Sequence, residues 1–148
     1  MKTLKRKVIP LPCACANLRR ADRVVTQYYD AVLRQSGLRV TQFTLLQALH
    51  YAPGISQKQL AELLEIDSTT LTRTLAPHVQ KGWLHSEPGT DRRELRLRLT
   101  PAGQREYKRV LPSWRKAQKS LQQALGNENW THLITLTVRT AGAMLKPG

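Results

Sequence analysis

The chain has 148 residues and a mass of 16.8 kDa, the size of one ordinary domain or of one domain with extensions. Its 24 Lys and Arg residues outnumber its 10 Asp and Glu residues, and the resulting formal charge of +14 favours a polyanionic partner, nucleic acid before an acidic membrane surface. The apolar fraction of 41% excludes a disordered basic tail, no apolar run reaches the roughly 20 residues of a membrane span, and an aromatic fraction of 5% disfavours stacking on single-stranded bases.

The amino-terminal segment and the cysteines predict a cytoplasmic protein. Residues 1–20 are basic but contain no apolar core, so we expect no secretory signal. Cys13 and Cys15 are one residue apart, which fits neither a disulfide framework nor a CxxC zinc site. The four histidines are scattered without ligand spacing, so we expect no metal ion and no other cofactor.

The chain begins with a predicted basic, flexible arm over residues 1–12, in which Pro10 and Pro12 prevent an early helix. Apolar residues then recur at spacings of three and four from Cys13 to about Gln35, which predicts a first helix. Ser36-Gly37 is typical of its end.

Three shorter helices are predicted next. The second runs from a Thr41 N-cap to Tyr51, before Pro53-Gly54. The third opens at Ser56, because the sequence Ser-x-x-Gln fits a capping box. After a short turn at Glu65-Ile66, Asp67 is expected to cap a fourth helix that reaches about Lys81.

The second half of the chain predicts a β-hairpin followed by two helices. Residues 94–99 alternate strictly between charged residues and leucine, as a strand requires, and residues 83–87 are the expected partner strand. Thr100-Pro101 then reads as the N-cap and first residue of a long helix that ends before Gly126. A last helix is expected over about residues 128–145.

This element order predicts a mainly α fold with a small two-stranded β-wing. The third helix, the turn, the fourth helix and the hairpin form a winged helix-turn-helix DNA-binding domain over residues 37–100. The flanking helices, at 13–36 and 101–148, carry more apolar surface than so small a module could cover. We therefore expect a helical dimerisation domain and a homodimer.

The fourth helix is the predicted recognition helix, whose amino-terminal residues would enter a major groove. Leu71, Leu75 and Val79 are four residues apart and are expected to face the core. The opposite side is small, hydroxylated and basic, and Arg73 has the donors to bind guanine or a phosphate. The alternative is that these Ser and Thr residues only cap the helix on a solvated face.

The hairpin loop is the second predicted contact with DNA. Arg92 and Arg93 could enter a minor groove, with Asp91 orienting a neighbouring arginine through a salt bridge, and Arg96 could reach phosphates. The alternative is an ordinary solvated turn.

The sequence resembles the MarR-type bacterial transcriptional regulators. The matching stretches are TQFTLLQAL, ISQKQLAELLEIDSTTLTRTL, QKGWL and DRRELRLRLTPAG. The resemblance implies a homodimer that binds a pseudo-palindromic operator in double-stranded DNA, with Arg93 as the wing arginine and Asp91 as its partner. It also places a set of α-helical residues at bases or phosphates, namely Ser68, Thr69, Thr70, Thr72 and Arg73. Two residues depart from the pattern: Glu65 replaces the usual turn glycine, and Pro77 lies inside the recognition helix.

The resemblance further implies a switch that releases DNA. One form is a small aromatic or anionic ligand between the helical domain and the winged lobe, with Arg20, Arg23 and His50 as anchors and Tyr28, Tyr29 and Trp83 as walls. The other is oxidation of Cys15, which resembles the peroxide-sensing branch, where a tyrosine of the partner chain, here Tyr29, holds the cysteine. Against the second form, Val40 replaces a second tyrosine and no later cysteine could resolve a sulfenic acid. We favour packing roles for both cysteines.

The leading interpretation is a sequence-specific dimeric repressor. A non-specific architectural DNA-binding protein is the main alternative without a ligand. A thiol peroxidase using Cys15 is disfavoured because the sequence offers neither a partner histidine nor a substrate-positioning motif. We therefore predict that the chain is not an enzyme.

Overall fold

The computed structural model describes residues 8–91 and 93–145. The helices within these residues are α1 (Ala14–Leu33), α2 (Val40–Tyr51), α3 (Gln57–Leu64), α4 (Ser68–Gln80), α5 (Pro101–Leu125) and α6 (Asn127–Met144), with a 3₁₀ turn at Arg34–Ser36. The strands are β1 (Ile55–Ser56), β2 (Leu84–Pro88) and β3 (Leu95–Leu99), in the order β1-β3-β2. The prediction of a mainly α fold with a small β-wing is confirmed.

The predicted helix starts follow from local capping chemistry. In the capping box of α3, the Ser56 hydroxyl accepts from the Gln59 amide at 3.1 Å, and the Gln59 side chain accepts from the Ser56 amide at 3.1 Å. Asp67 accepts from the Thr70 amide at 2.9 Å and begins α4. The expected Thr41 N-cap is wrong by two residues, because α2 begins at Val40 and its N-cap is Arg39.

The wing is an antiparallel hairpin with one strand more than expected. β2 pairs with β3, which spans Leu95–Leu99, from Leu84 opposite Leu99 to Pro88 opposite Leu95. The two-residue strand β1 pairs with the other edge of β3, with Ile55 opposite Leu97. A two-residue strand is too short to show a period, so the sequence carries no signal for it.

Helix α2 is the wall between two hydrophobic cores. On one side, Leu45 and Leu49 pack into the core of a reading lobe, which we define as residues 37–100, together with Leu60, Leu71, Leu75, Leu84 and Leu97. On the other side, Phe43 and Leu46 pack with the long helices, against Leu33, Leu38, Tyr107 and Val110. Because α2 is apolar on both sides, it lacks the single apolar stripe of a surface helix.

The inner face of α4 differs from the prediction at its end. Leu71 and Leu75 are buried, as expected, but Val79 is 54% exposed and His78 is buried in its place, with 1% exposure. From Leu75, the next position on the same helical face is three or four residues on, so the period alone does not choose between residues 78 and 79. The two ring nitrogens of His78 lie 3.0 Å from the Thr74 carbonyl oxygen and 3.1 Å from the Gln42 carbonyl oxygen, so the single N–H of the neutral ring has a backbone acceptor whichever nitrogen carries it.

The turn between α3 and α4 is left-handed at Glu65, whose φ of 51° and ψ of 45° lie in the region that favours glycine. Glu65 therefore has the left-handed backbone in which this residue costs more than the glycine that the resemblance leads us to expect there. Pro77, the other departure, lies within α4, which continues to Gln80.

The reading lobe is joined closely to α5 at Gly103. A Cβ atom at this buried glycine would lie 1.9 Å from the carbonyl oxygen of Trp83. The same carbonyl accepts from the Thr100 amide at 2.9 Å, so the first turn of α5 is packed directly on the base of the wing.

The first and last of the described residues are exposed. In the predicted arm, residues 1–7 lie outside the described residues, while the segment from residue 8 is held to α1 by Arg20, which donates to the Ile9 carbonyl at 2.8 Å. Helix α6 packs on α5 but leaves several large apolar side chains exposed, namely Leu133, Ile134, Leu136, Val138, Met144 and Leu145. Across the described residues, no helix is both long and apolar enough to cross a membrane.

Candidate nucleic-acid interface

The exposed amino-terminal half of α4 presents three side chains that are available to a ligand. Ser68, Thr69 and Arg73 are all exposed, and their side chains form no hydrogen bond with any described residue. The Asp67 cap holds the start of this helix, and the hydrogen bond from the Thr70 hydroxyl lowers the pKa of the Asp67 carboxyl, so the cap stays ionised at neutral pH.

Two of the five predicted α4 residues already bond within the chain. The Thr70 hydroxyl donates to the Asp67 carboxylate at 2.6 Å. The Thr72 hydroxyl donates to the Ser68 carbonyl at 2.9 Å and accepts from the Gln57 side chain at 3.2 Å. Both residues therefore hold the helix and its neighbour α3 in place and have less hydrogen-bonding capacity for a ligand.

Asp91 shapes the wing tip through backbone hydrogen bonds, and it forms no salt bridge with Arg93; the expected salt bridge with Arg92 stays a prediction. Its carboxylate accepts from the backbone amide of Arg93 at 3.0 Å, and its carbonyl accepts from the Glu94 amide at 2.9 Å. The Arg93 side chain is exposed. Arg92 lies outside the described residues, so its predicted contact stays a prediction.

Helix α4 and the wing meet at an open groove of about 480 Å³. Its walls bring together Ser68, Asp91 and Arg93, which the sequence analysis had singled out separately. They also include Lys58 and Gln57 at the start of α3, which the sequence analysis missed. The available signal for Lys58 was its place in the sequence, two residues after the Ser56 cap and so in the first turn of α3.

The arginines of β3 are tied to the wing itself. Arg96 bonds the Glu94 carboxylate at 3.1 Å and the Gly54 carbonyl at 3.1 Å, so this predicted phosphate contact connects β3 to the turn before β1. Arg98 pairs with Glu87, and this hydrogen bond lowers the pKa of the Glu87 carboxyl. Both pairs are partly exposed, so their role is to orient the strands more than to stabilise the fold.

The charge of the reading lobe is modest. Residues 37–100 contain eight Lys and Arg and six Asp and Glu, which leaves a net charge of +2. The groove itself is lined by two cations, Lys58 and Arg93, and by the carboxylates of Glu62, Asp91 and Glu94. Arg73 is an exposed cation of α4 that does not line the groove.

A second cavity, of about 600 Å³, lies among α1, α2, α5 and α6. Tyr29, Trp114 and Trp130 contribute aromatic surface, and the Tyr29 hydroxyl donates to the side chain of Gln118. Burial raises the pKa of the Tyr29 hydroxyl, which keeps it a neutral donor. Of the residues that line this cavity, none is a lysine or an arginine.

The predicted anchors of an anionic ligand do not line this cavity. Arg20 is bonded to the Ile9 carbonyl and to the Asn17 side chain, and Arg23 is exposed on α1. His50 stacks on Tyr107 with ring centroids 4.2 Å apart and lies 2.9 Å from the Gln104 side chain. Of the predicted walls, Tyr29 lines the cavity, whereas Tyr28 and Trp83 do not.

The thiols of Cys13 and Cys15 are both exposed, at the start of α1. We favoured packing roles for both cysteines, but within this chain neither thiol is packed in a core. Tyr29 follows Cys15 by 14 residues on the same helix, or about 21 Å, so the two side chains of one chain do not meet. Among the described residues, no cluster of three or more His, Cys, Asp or Glu has the geometry to hold a metal ion.

Comparison with protein families and curated proteins identifies relatives along most of the chain. A model of the MarR family matches residues 38–95. The HTH-type transcriptional regulator PecS of Dickeya dadantii is 30% identical over 126 residues, which cover 82% of this chain and 76% of that protein. An uncharacterised HTH-type transcriptional regulator of Bacillus subtilis, YwoH, is 23% identical over 122 residues, which cover 80% of this chain and 89% of that protein.

Solved structures show the same fold. The Mycobacterium tuberculosis transcriptional regulator MosR in complex with DNA aligns with a TM-score of 0.77 and 31% identity over 90% of this chain and 99% of that one. The Streptomyces coelicolor regulator PcaV in complex with its natural ligand has a TM-score of 0.80 at 21% identity, over 94% of this chain and 99% of that one. The second likeness concerns the fold alone.

Proposed function

Since this chain belongs to the MarR family of transcriptional regulators, we propose that it is a homodimeric repressor that binds a pseudo-palindromic operator in double-stranded DNA. Its relatives are regulators, in agreement with the prediction that the chain is not an enzyme. We expect it to act in the cytoplasm, where its operator would be.

The observation that carries this proposal is the free surface of Ser68, Thr69 and Arg73 beside the wing groove. Short hydroxyl side chains let a helix approach base edges closely, and the unpaired amides at its start favour a phosphate. The Arg73 guanidinium has the parallel donors that match the acceptors of guanine. The related MosR was solved in complex with DNA, which supports DNA as the partner of this chain.

The wing would supply a second contact. Arg93 is exposed at a tip that Asp91 holds in shape, and a narrow minor groove attracts such a cation. Lys58, which also lines the groove, would add a contact with the phosphate backbone.

The homodimer is supported by the apolar surface of α6. Its exposed leucine, isoleucine, valine and methionine side chains are unfavourable in water and would be covered by a second copy. A twofold axis would then place two recognition helices in successive major grooves.

Release by a small aromatic compound is supported by the cavity among the long helices. Its aromatic walls and the Tyr29–Gln118 hydrogen bond suit a ring with one or two polar groups. Because no basic residue lines it, we propose a ligand whose binding does not require a negative charge.

Oxidation of Cys15 is the second candidate for the switch, and its exposure favours this chemistry. We expect Cys15→Ser to leave DNA binding intact. If the exposed thiol is the switch, an alkyl hydroperoxide releases DNA from the wild type and not from this variant, measured by fluorescence anisotropy of a labelled operator. Equal release from both proteins would exclude Cys15, and Cys13→Ser is the matched control.

The decisive test begins with selection of bound fragments from the source genome, which supplies the operator. Arg73→Ala should then lose about 1–3 kcal/mol of binding free energy on the operator and much less on random duplex. Arg139→Ala, which removes the same charge from an exposed position of α6, should bind the operator as the wild type does.

Two results would contradict parts of this proposal. Equal losses of Arg73→Ala on operator and random duplex would make Arg73 a phosphate contact and would favour an architectural DNA-binding protein. A wild type that ignores every duplex at low salt would overturn the function itself.

A further inference from the structure

Most of the net charge lies outside the reading lobe. Residues 1–36 and 101–148 together contain sixteen Lys and Arg against four Asp and Glu, so these flanks carry +12 of the total of +14. The lobe that would read DNA therefore supplies only a small part of the field that draws the protein to a polyanion.

Helix α5 gathers part of this charge into one stripe, which we call the α5 ridge. Its members are all exposed and are Arg105, Lys108, Arg115, Lys116 and Lys119. At about 100° per residue they fall within a sector of about 100°, opposite the buried Tyr107 and Val110. The ridge is about 21 Å long.

No acidic side chain of the helix compensates the ridge. The sequence contains no Asp or Glu between residues 107 and 127. Glu106 is bonded to Arg109 at 2.6 Å, and none of the five ridge cations forms a salt bridge with a described residue. Like charges along one face of a helix repel one another, so binding of a polyanion to the ridge would relieve this repulsion and be favourable.

The ridge and the reading groove are separate surfaces. Helix α5 begins at the base of the wing, where Gly103 packs on Trp83. The two strands of the wing then extend five residues, or about 17 Å, from that base to the tip that lines the groove. One straight stretch of operator at the groove therefore leaves the ridge free for a different stretch of duplex.

We propose that the α5 ridge is a second DNA-binding surface, which takes the phosphate backbone of duplex outside the operator without reading its bases. This inference rests on the proposed function. The occupant is duplex DNA because a duplex presents one negative charge for about every 1.7 Å of its axis, a density that five cations over the ridge can engage at several points. Lysine, the commoner residue of the ridge, binds phosphate as a point charge and does not select a sequence.

The test uses the full chain and two duplexes, one limited to the operator and one extended on both sides by arbitrary sequence longer than the ridge. The ridge variant is Lys108→Gln/Lys116→Gln/Lys119→Gln. The matched control is Arg19→Gln/Arg23→Gln/Arg34→Gln, which removes the same number of charges from exposed positions of α1 and of the 3₁₀ turn that follows it. Circular dichroism and sedimentation confirm that the variants keep the fold and assembly of the wild type.

We expect the wild type to bind the extended duplex about tenfold or more tightly than the short one at low salt. The ridge variant should lose this difference, and the slope of log affinity against log salt on the extended duplex should fall by about 3 for each engaged ridge. On the short duplex the variant and the wild type should agree, and the control should keep the length dependence.

Three results would overturn the proposal. They are equal affinity of the wild type for both duplexes, equal losses for the ridge variant and the α1 control, and binding of the ridge to vesicles of anionic phospholipid with no effect on DNA. Failure of the proposed function has a different signature, because the wild type would then bind neither duplex.

Discussion

At the scale of single residues, His78 is the buried polar side chain of α4. Its two ring nitrogens lie 3.0 and 3.1 Å from backbone carbonyls of α4 and α2, and a neutral imidazole has a single N–H to donate. Burial lowers the pKa of the ring, Lys81 acts in the same direction, and the two carbonyls oppose this shift without cancelling it. The folded protein therefore holds His78 neutral near pH 7.

This depressed pKa predicts a pH dependence of stability. Below about pH 6.5, the unfolded chain protonates His78 while the folded chain does not, so the unfolded state binds more protons. The free energy of unfolding should be constant above that pH and should fall as the pH drops from about 6.5 towards 5. Urea unfolding across this range measures the fall.

The control for this prediction is His78→Gln, which keeps an amide donor and does not titrate. Its stability should change less over the same interval than that of the wild type. A steeper fall for the variant, or a wild type that gains stability on acidification, would show that the carbonyls outweigh burial.

At the scale of elements, the starts of α3, α4 and α5 were predictable because each depends on neighbouring residues. Ser56, Asp67 and Thr100 each accept from the amide three positions along the chain, and those partners are visible in the sequence. Strand β1 and the choice of His78 over Val79 depend on β3 and α2, which are distant in sequence. Local periodicity contains no information about these contacts.

The candidate site divides in the same way. The residue types on α4 indicated a surface for DNA, and Ser68, Thr69 and Arg73 stand exposed there. The engagement of Thr72 by Gln57, and of Arg96 by Gly54, could not be predicted, since each partner comes from another element. Residues of the same type therefore differ in role: Thr69 and Arg73 are free to bind a ligand, whereas Thr72 and Arg96 form hydrogen bonds within the chain.

The turn between α3 and α4 offers a test at this scale. A left-handed Glu65 is strained relative to glycine, so Glu65→Gly should raise the free energy of unfolding by about 1 kcal/mol. Glu65→Ala keeps the Cβ atom and should give no comparable gain. Urea unfolding of both variants measures the difference, and a loss of stability in the glycine variant would show that the Glu65 side chain contributes more than its backbone costs.

At the scale of the whole molecule, the surface of α6 and the placement of charge must be considered together. The apolar residues of α6 favour association, while flanks of +12 in each copy oppose it. The assembly should therefore be more stable at moderate salt, where repulsion between the copies is screened.

We expect Leu136→Glu/Val138→Glu to shift the protein towards monomers, because it places two carboxylates on exposed apolar positions of α6. Thr135→Glu, a neighbouring exposed residue with a polar side chain, is the control and should leave the assembly unchanged. Sedimentation equilibrium measures the assembly state. A double variant that remains a dimer would move the interface away from α6.

The close packing at Gly103 has a mechanical consequence. Because there is no clearance between the backbone of α5 and that of Trp83, we expect little hinge motion where the winged lobe joins the long helix. The lobe and the first turns of α5 should then rotate together as one rigid body. A ligand that changes the spacing of the two lobes in the proposed dimer would therefore act further along α5, beyond this contact.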